Sequence, residues 1–256
     1  MFDKTLWMKR RIFGVGLAAA RTGPGRWLTA AMLRSHEPLL ALAAAEEMLS
    51  RPWRVLALTA HPDDLEYFAG GTIRRLALGG SQITAVVLSD GEKRGNIPDL
   101  GRVRREEQLA AARKQGIANV RFFGLTDFGL PEEPRLEPTV ARVWAEEQPE
   151  LVLAFDPKEL FPGFANRDHK ALGRTVLDLS RKHFGRCRVY LYGTHHANVL
   201  VDIGTVLKEK EDAVLTHASQ MVYLTEEGHR QAVRWLAEVS AAGAPCQYAE
   251  PLYRLL

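Results

Sequence analysis

The run His61-Pro62-Asp63-Asp64 places one imidazole and two carboxylates on a single short turn. An imidazole and a carboxylate suit a borderline divalent cation such as zinc, while a second carboxylate can hold a proton without touching the metal. Taken alone, the run reads first as a proline-set turn in which Asp63 or Asp64 caps a following helix. A second group shifts that balance, because Asp156-Pro157 and then Asn166-Arg167-Asp168-His169 bring another imidazole after another apolar run. Where the two groups meet, His61, Asp64 and His169 supply three ligands and leave a fourth position for water, the arrangement of catalytic zinc. Such a water loses a proton near neutral pH, and Asp63 is the free carboxylate in place to accept it. The same donor set accepts iron, manganese or cobalt.

The elements that must position these groups follow from periodicity. Residues 54–60 form a continuous apolar run, the mark of a strand buried on both faces of a parallel sheet. A helix over 67–78 closed by Gly79-Gly80, a strand over 83–88, a helix over 103–115 with Gly116 after it and a strand over 120–123 come next. The alternation continues with a helix over 138–147, a strand over 150–155, a helix over 170–183 and a strand over 188–192. This βαβ series predicts an α/β fold, a Rossmann-like open, mostly parallel sheet with helices on both faces, whose ligands bind beyond the carboxyl ends of the strands. After Thr194 the pattern loosens into a strand over 199–203, helices over 205–214 and 226–241, and a closing strand over 250–255. A helical stretch over 28–49, stopped at Arg51-Pro52, precedes the series. The division is therefore a helical N-terminal extension over 1–51 and one domain over 52–256.

With 256 residues, 46% of them hydrophobic and 25% charged, the chain can fill a large core, and no run of 18 or more apolar residues marks a membrane span. A net charge of +3 is too small to argue for nucleic acid as a partner. Its distribution is uneven: residues 1–35 carry seven basic side chains against Asp3, hence +6, and the rest of the chain carries −3. Lys9-Arg10-Arg11 ahead of an Ala-rich stretch imitates a weak signal peptide, against which stand a helix packed on its own domain and contact with an anionic membrane surface. Two cysteines, Cys187 and Cys246, without C-x-x-C spacing fit a reducing, cytoplasmic setting. His195-His196 are adjacent in a segment read as extended and point apart, while His36, His183 and His229 fall on helices and default to a solvated face. Lys93, Arg94, Arg102, Arg104 and Arg105 surround one loop and read either as a solvated, mobile face or as a partner for an anionic ligand. Neither G-x-G-x-x-G nor a Walker pattern occurs.

Thr59 to Asp64, Gly70-Gly71-Thr72, Ser89-Asp90-Gly91-Glu92, Arg104-x-x-Glu107 and Asp168-His169 together resemble the LmbE-like (PIG-L) zinc-dependent N-deacetylases, and His217-Ala-Ser-Gln220 and Tyr248-Ala-Glu250 are similar to that family's C-terminal half. The resemblance implies His61, Asp64 and His169 as metal ligands and Asp63 as general base, in agreement with the loop argument. It implies a small-molecule substrate carrying N-acetylglucosamine, contacted by Arg104 and Asp127 with Glu92 on a loop facing the same cleft, and homo-oligomers are common in the family. One departure stands out: the family's histidine three residues before the last ligand is Asn166 here, an amide that can donate to an oxyanion but cannot hand over a proton. Asn166 then acts with a reduced toolkit, or His217 or His195 takes the role, and Asp168 is catalytic, orients a ligand histidine or caps the helix. The departure also motivates two alternatives: a carbohydrate-binding relative weak or lacking in turnover, and a metal-dependent hydrolase of other amides or esters.

Overall fold

The computed structural model describes residues 37–93, 95–158, 166–183, 187–221 and 225–255. Chain order there is α1 (Pro38–Leu49), β1 (Arg54–Thr59), α2 (Asp64–Leu78), β2 (Gln82–Ser89), α3 (Leu100–Gln115), β3 (Asn119–Leu125), α4 (Leu136–Glu147), β4 (Leu151–Phe155) and α5 (Arg167–His183). It continues with β5 (Arg188–Tyr192), β6 (Val199–Asp202), α6 (Leu207–Val214), α7 (Glu226–Ser240) and β7 (Ala249–Arg254). The strands form one seven-stranded sheet in the order β3-β2-β1-β4-β5-β7-β6. Strands β1 to β5 are parallel, with Ala57 opposite Ala85 on one side and Leu153 on the other. The closing strand β7 enters antiparallel between β5 and β6, pairing Leu191 with Tyr253 and Val201 with Glu250.

The expected open sheet with helices on both faces is what forms: α2, α3 and α6 pack together on one face, and α4 and α5 on the other. Its central strands are buried throughout, which is why 55–59 and 151–155 read as unbroken apolar runs. Strand order runs outward from β1 in one direction through β2 and β3, and from β4 in the other through β5. The switch point therefore lies between the ends of β1 and β4, the two strands that the histidine-bearing segments follow.

Helices begin two to three residues earlier than apolar periodicity predicts, at Asp64, Leu100, Leu136 and Arg167. In α2 and α5 those first turns carry polar side chains, Asp64 and Glu66 in one and Asp168 in the other. Helix α2 is interrupted at Ala69 (φ −140°), where Glu250 of β7 accepts hydrogen bonds from the N–H groups of Gly71 and Thr72, the Thr72 hydroxyl and the buried Lys210 ammonium. Gly71 is required there by close approach, since a Cβ would stand 2.5 Å from Ile203 Cγ2. Of the helix expected over 28–49, α1 is the described part; it packs on β6, burying Ala41, Ala45 and Met48, and the Trp53 indole donates to Met48 O at 2.6 Å. The basic segment, the signal-like stretch and His36 lie outside the described residues. Among the described residues, no helix is long and apolar enough to cross a membrane.

Candidate metal centre

Strand β1 delivers the first group. Past Thr59 the chain turns tightly: the Thr59 hydroxyl donates to His61 O (3.1 Å), and the His61 N–H donates to Asp64 Oδ2 (2.8 Å). Asp63 occupies the left-handed region (φ 90°), a strained conformation for a residue with a Cβ, and its N–H donates to Gln108 Oε1 (3.0 Å) of α3. The Asp63 carboxyl makes no capping hydrogen bond to α2, and Asp64 turns back toward His61. The helix-cap reading of this run is thereby displaced.

Strand β4 delivers the second group through the first turn of α5. Phe155, at the end of β4, stacks on the His169 ring with centroids 3.8 Å apart and planes 8° apart. Gly173 lets α5 come this close, because a Cβ there would meet Phe155 O at 2.5 Å. His169 Nε2 then faces Asp64 Oδ1 at 3.1 Å, yet is buried with no hydrogen-bond partner among the described residues. His61 Nδ1 lies 3.4 Å from Asp64 Oδ2. Donor atoms of His61, Asp64 and His169 that converge, with His169 Nε2 buried and unpartnered among the described residues, are an arrangement a cation would complete.

His61 belongs to a second group as well, with Asp127 and Asp168. Its Nε2 lies 3.1 Å from Asp168 Oδ2 and 3.2 Å from Asp127 Oδ1. The oxygens of this second group are largely engaged: Asp168 accepts from the N–H groups of Phe128 (2.8 Å) and Leu130 (3.1 Å), and Asp127 Oδ2 from that of Lys93 (3.0 Å). The first group is thus the better candidate for a cation, and Asp168 and Asp127 hold the far nitrogen of His61, as carboxylates do for a histidine that would bind a metal. Burial opposes charge on the His61 ring, but Asp64, Asp127 and Asp168 together raise its pKa well above the ordinary imidazole value. Burial likewise favours the protonated Asp64 carboxyl, but His169 and His61 hold it below the usual carboxylate range.

Asp63 stands beside the His61, Asp64 and His169 group without joining it. Burial raises its carboxyl above the usual range and the Asp64 charge adds to that, while Arg104, 3.3 Å away, works against both. Arg104 is itself buried, donating to Gly91 O (3.0 Å) and Pro62 O, so its charge is spent on bracing the turn. Asp127 is fully buried, and Glu92 is exposed with its Oε1 accepting the Asp127 N–H (3.2 Å). Asn166 starts α5: its Oδ1 accepts the Asp168 N–H at 2.9 Å, the geometry of an N-cap. His217 is wholly buried, its Nε2 3.3 Å from Glu66 Oε2, and it stands near enough to Asp63 for each charge to act on the other.

Several residues with no local sequence signal complete the centre. Gln108 links the Asp63 backbone to the buried Glu66, to which its amide donates at 2.8 Å, and Glu66 in turn faces His217. His229 is buried and hydrogen-bonded to the Tyr67 hydroxyl, contrary to the solvated face expected of it, because α7 packs against α6 and β7. The rings of His195 and His196 lie 3.8 Å apart in a bend, not pointing apart along an extended segment, and neither belongs to a cation-holding group among the described residues. The basic loop is mostly paired: Arg105 with Asp90, Arg102 with Asp99 and Glu106, and Lys93 Nζ with Asp127 O, while Arg94 lies outside the described residues.

Residues 56–180 match the family model of GlcNAc-PI de-N-acetylase, PIG-L. The diacetylchitobiose deacetylase of Thermococcus kodakarensis is 29% identical over 188 residues, covering 65% of this chain and 70% of that one. A 4-oxalmesaconate hydratase of Pseudomonas putida is 34% identical over 125 residues, covering 44% and 46%. The solved structure of an N,N'-diacetylchitobiose deacetylase from Pyrococcus horikoshii shares the fold with a TM-score of 0.71 at 23% identity, covering 82% of this chain and 90% of that one.

Proposed function

We propose, for a chain that carries a PIG-L family domain over residues 56–180, that it is a zinc-dependent hydrolase removing the acetyl group from an N-acetylglucosamine-containing small molecule, with 52–256 as the catalytic domain. The observation that carries the reading is the convergence of His61, Asp64 and His169 beside an unligated Asp63. A divalent cation held by those three residues would polarise the amide carbonyl and acidify water. Asp63 takes a proton from the attacking water as its oxygen bonds to the carbonyl carbon. The same carboxyl then returns that proton to the nitrogen as the carbon–nitrogen bond breaks, leaving acetate and a free amine. Arg104 and Gln108 keep Asp63 in its strained orientation, and Asp168 and Asp127 fix the His61 ring. The Asn166 Nδ2 is the donor available to an oxyanion once Oδ1 is committed to the cap.

A second reading, a saccharide-binding relative without turnover, rests on that same Asn166. The deciding experiment measures metal content and acetate release from N-acetylglucosamine conjugates before and after chelation and zinc replacement. About one equivalent of metal with chelator-sensitive release is expected. Metal without release across a broad panel favours the binding relative, and simple esters turned over in preference favour a different hydrolase. A hydratase adds water where a deacetylase splits a bond with it, so acetate release separates the two where metal content does not. Asp63→Asn should keep the metal and lower kcat by about two powers of ten, since only the proton carrier is removed. His169→Ala should lose the metal; the opposite pattern overturns the assignment of base and ligand. Cys187 and Cys246 are free thiols, with the Cys187 pKa pushed up to about 12 by burial, which supports a cytoplasmic setting without thiol chemistry.

A further inference from the structure

Phe128 combines three features that its role as a loop residue leaves unexplained. It is a large apolar side chain 46% exposed to solvent. Its backbone is in the left-handed region (φ 58°), which a bulky residue adopts only when its surroundings hold it there. Its ring centroid lies 6.5 Å from that of His61, with the planes inclined at 47°. The restraint is visible: the Phe128 N–H donates to Asp168 Oδ2 at 2.8 Å, and the same oxygen lies 3.1 Å from His61 Nε2. One buried carboxylate therefore sets both a metal-ligand ring and an exposed aromatic ring, so the distance between them is built into the centre. Backbone strain spent on presenting an apolar ring to water beside a reaction site points to a ligand that covers it.

Resting on the deacetylase reading above, we infer that Phe128 is a specificity-determining residue, the platform on which the C–H face of the acetamido-bearing sugar ring stacks while its acetamide reaches the metal centre. A pyranose has such an apolar face, and an aromatic ring orients it without consuming hydrogen-bonding groups. Tethering the platform to Asp168 registers the sugar with respect to His61, which is what amide cleavage at a fixed carbon requires.

The test uses Phe128→Gly, because glycine accepts the left-handed backbone while removing the ring. Its thermal midpoint should stay level or rise, and its metal content should match the wild type. KM for N-acetylglucosamine conjugates should rise about tenfold with kcat changed less than threefold, and Phe128→Tyr should stay within about twofold of the wild type in both. A readout that needs no turnover is saturation-transfer NMR on the Asp63→Asn protein. Saturation should reach the C–H protons on one face of N-acetylglucosamine and vanish when Phe128→Gly is added. Transfer lost in this way, in a protein whose wild type releases no acetate, keeps the platform and overturns the deacetylase reading. Unchanged KM and unchanged transfer in Phe128→Gly overturn the platform, as does a change of assembly mass in that variant with KM unaltered.

Discussion

At the scale of single residues, Asn166 poses the sharpest question about rate. Its Oδ1 caps α5 through the Asp168 N–H, and it occupies the position where the resembled family carries histidine. Asn166→His exchanges a capping acceptor for a group able to donate or transfer a proton. Acetate release is expected to increase several-fold at unchanged metal content, while stability drops by about 1 kcal/mol for the lost cap. Acetate kinetics and urea midpoints on the same preparation read both effects; a stable variant with no rate gain would show the position to be only a helix start. The meeting of His61, Asp64 and His169 was legible in the sequence because metal-binding chemistry restricts residue type and because both segments follow apolar runs. Gln108, Glu66 and Tyr67 were not, since their meaning lies in partners on other elements: the Asp63 N–H, the Gln108 amide and the His229 ring.

At the scale of elements, the same asymmetry governs what could be read. The apolar runs placed β1 and β4 to within a residue, whereas the starts of α2 and α5 were missed because their first turns hold Asp64 and Glu66, or Asp168 and His169, in place of apolar periodicity. Insertion of β7 between β5 and β6 was also illegible, for a short strand's pattern carries no record of its neighbours. That insertion nevertheless shapes the site-bearing helix, because Glu250 and Ile203 meet α2 at Gly71. A glycine within a helix ordinarily costs up to about 1 kcal/mol against alanine, but here the added methyl would stand 2.5 Å from Ile203 Cγ2 and 2.8 Å from its Cβ. Overpacking, worth about 1–3 kcal/mol, outweighs propensity. Gly71→Ala should therefore lose about 2 kcal/mol in urea unfolding, and the Gly71→Ala/Ile203→Ala double variant should lose less than the sum of the two single losses. A more stable Gly71→Ala would show that β6 and α2 yield freely.

At the scale of the whole molecule, the centre joins the two halves of the sheet. His61 and Asp64 follow β1, which leads to β2 and β3, and His169 follows β4, which leads to β5. A cation bound by all three would tie the halves together at the switch point and would offset the repulsion among buried Asp64, Asp127 and Asp168. The unfolded chain separates these ligands, so binding stabilises the folded state by mass action. Free zinc at a hundred times its dissociation constant should add about 2.7 kcal/mol, which for a domain of this size raises the thermal midpoint by roughly 5–10 °C. The rise should be reversed by chelation and absent in His169→Ala. Persistence of the full rise in that variant would move the cation to His61, Asp127 and Asp168, on the opposite side of the His61 ring, and Asp63 would no longer stand next to it.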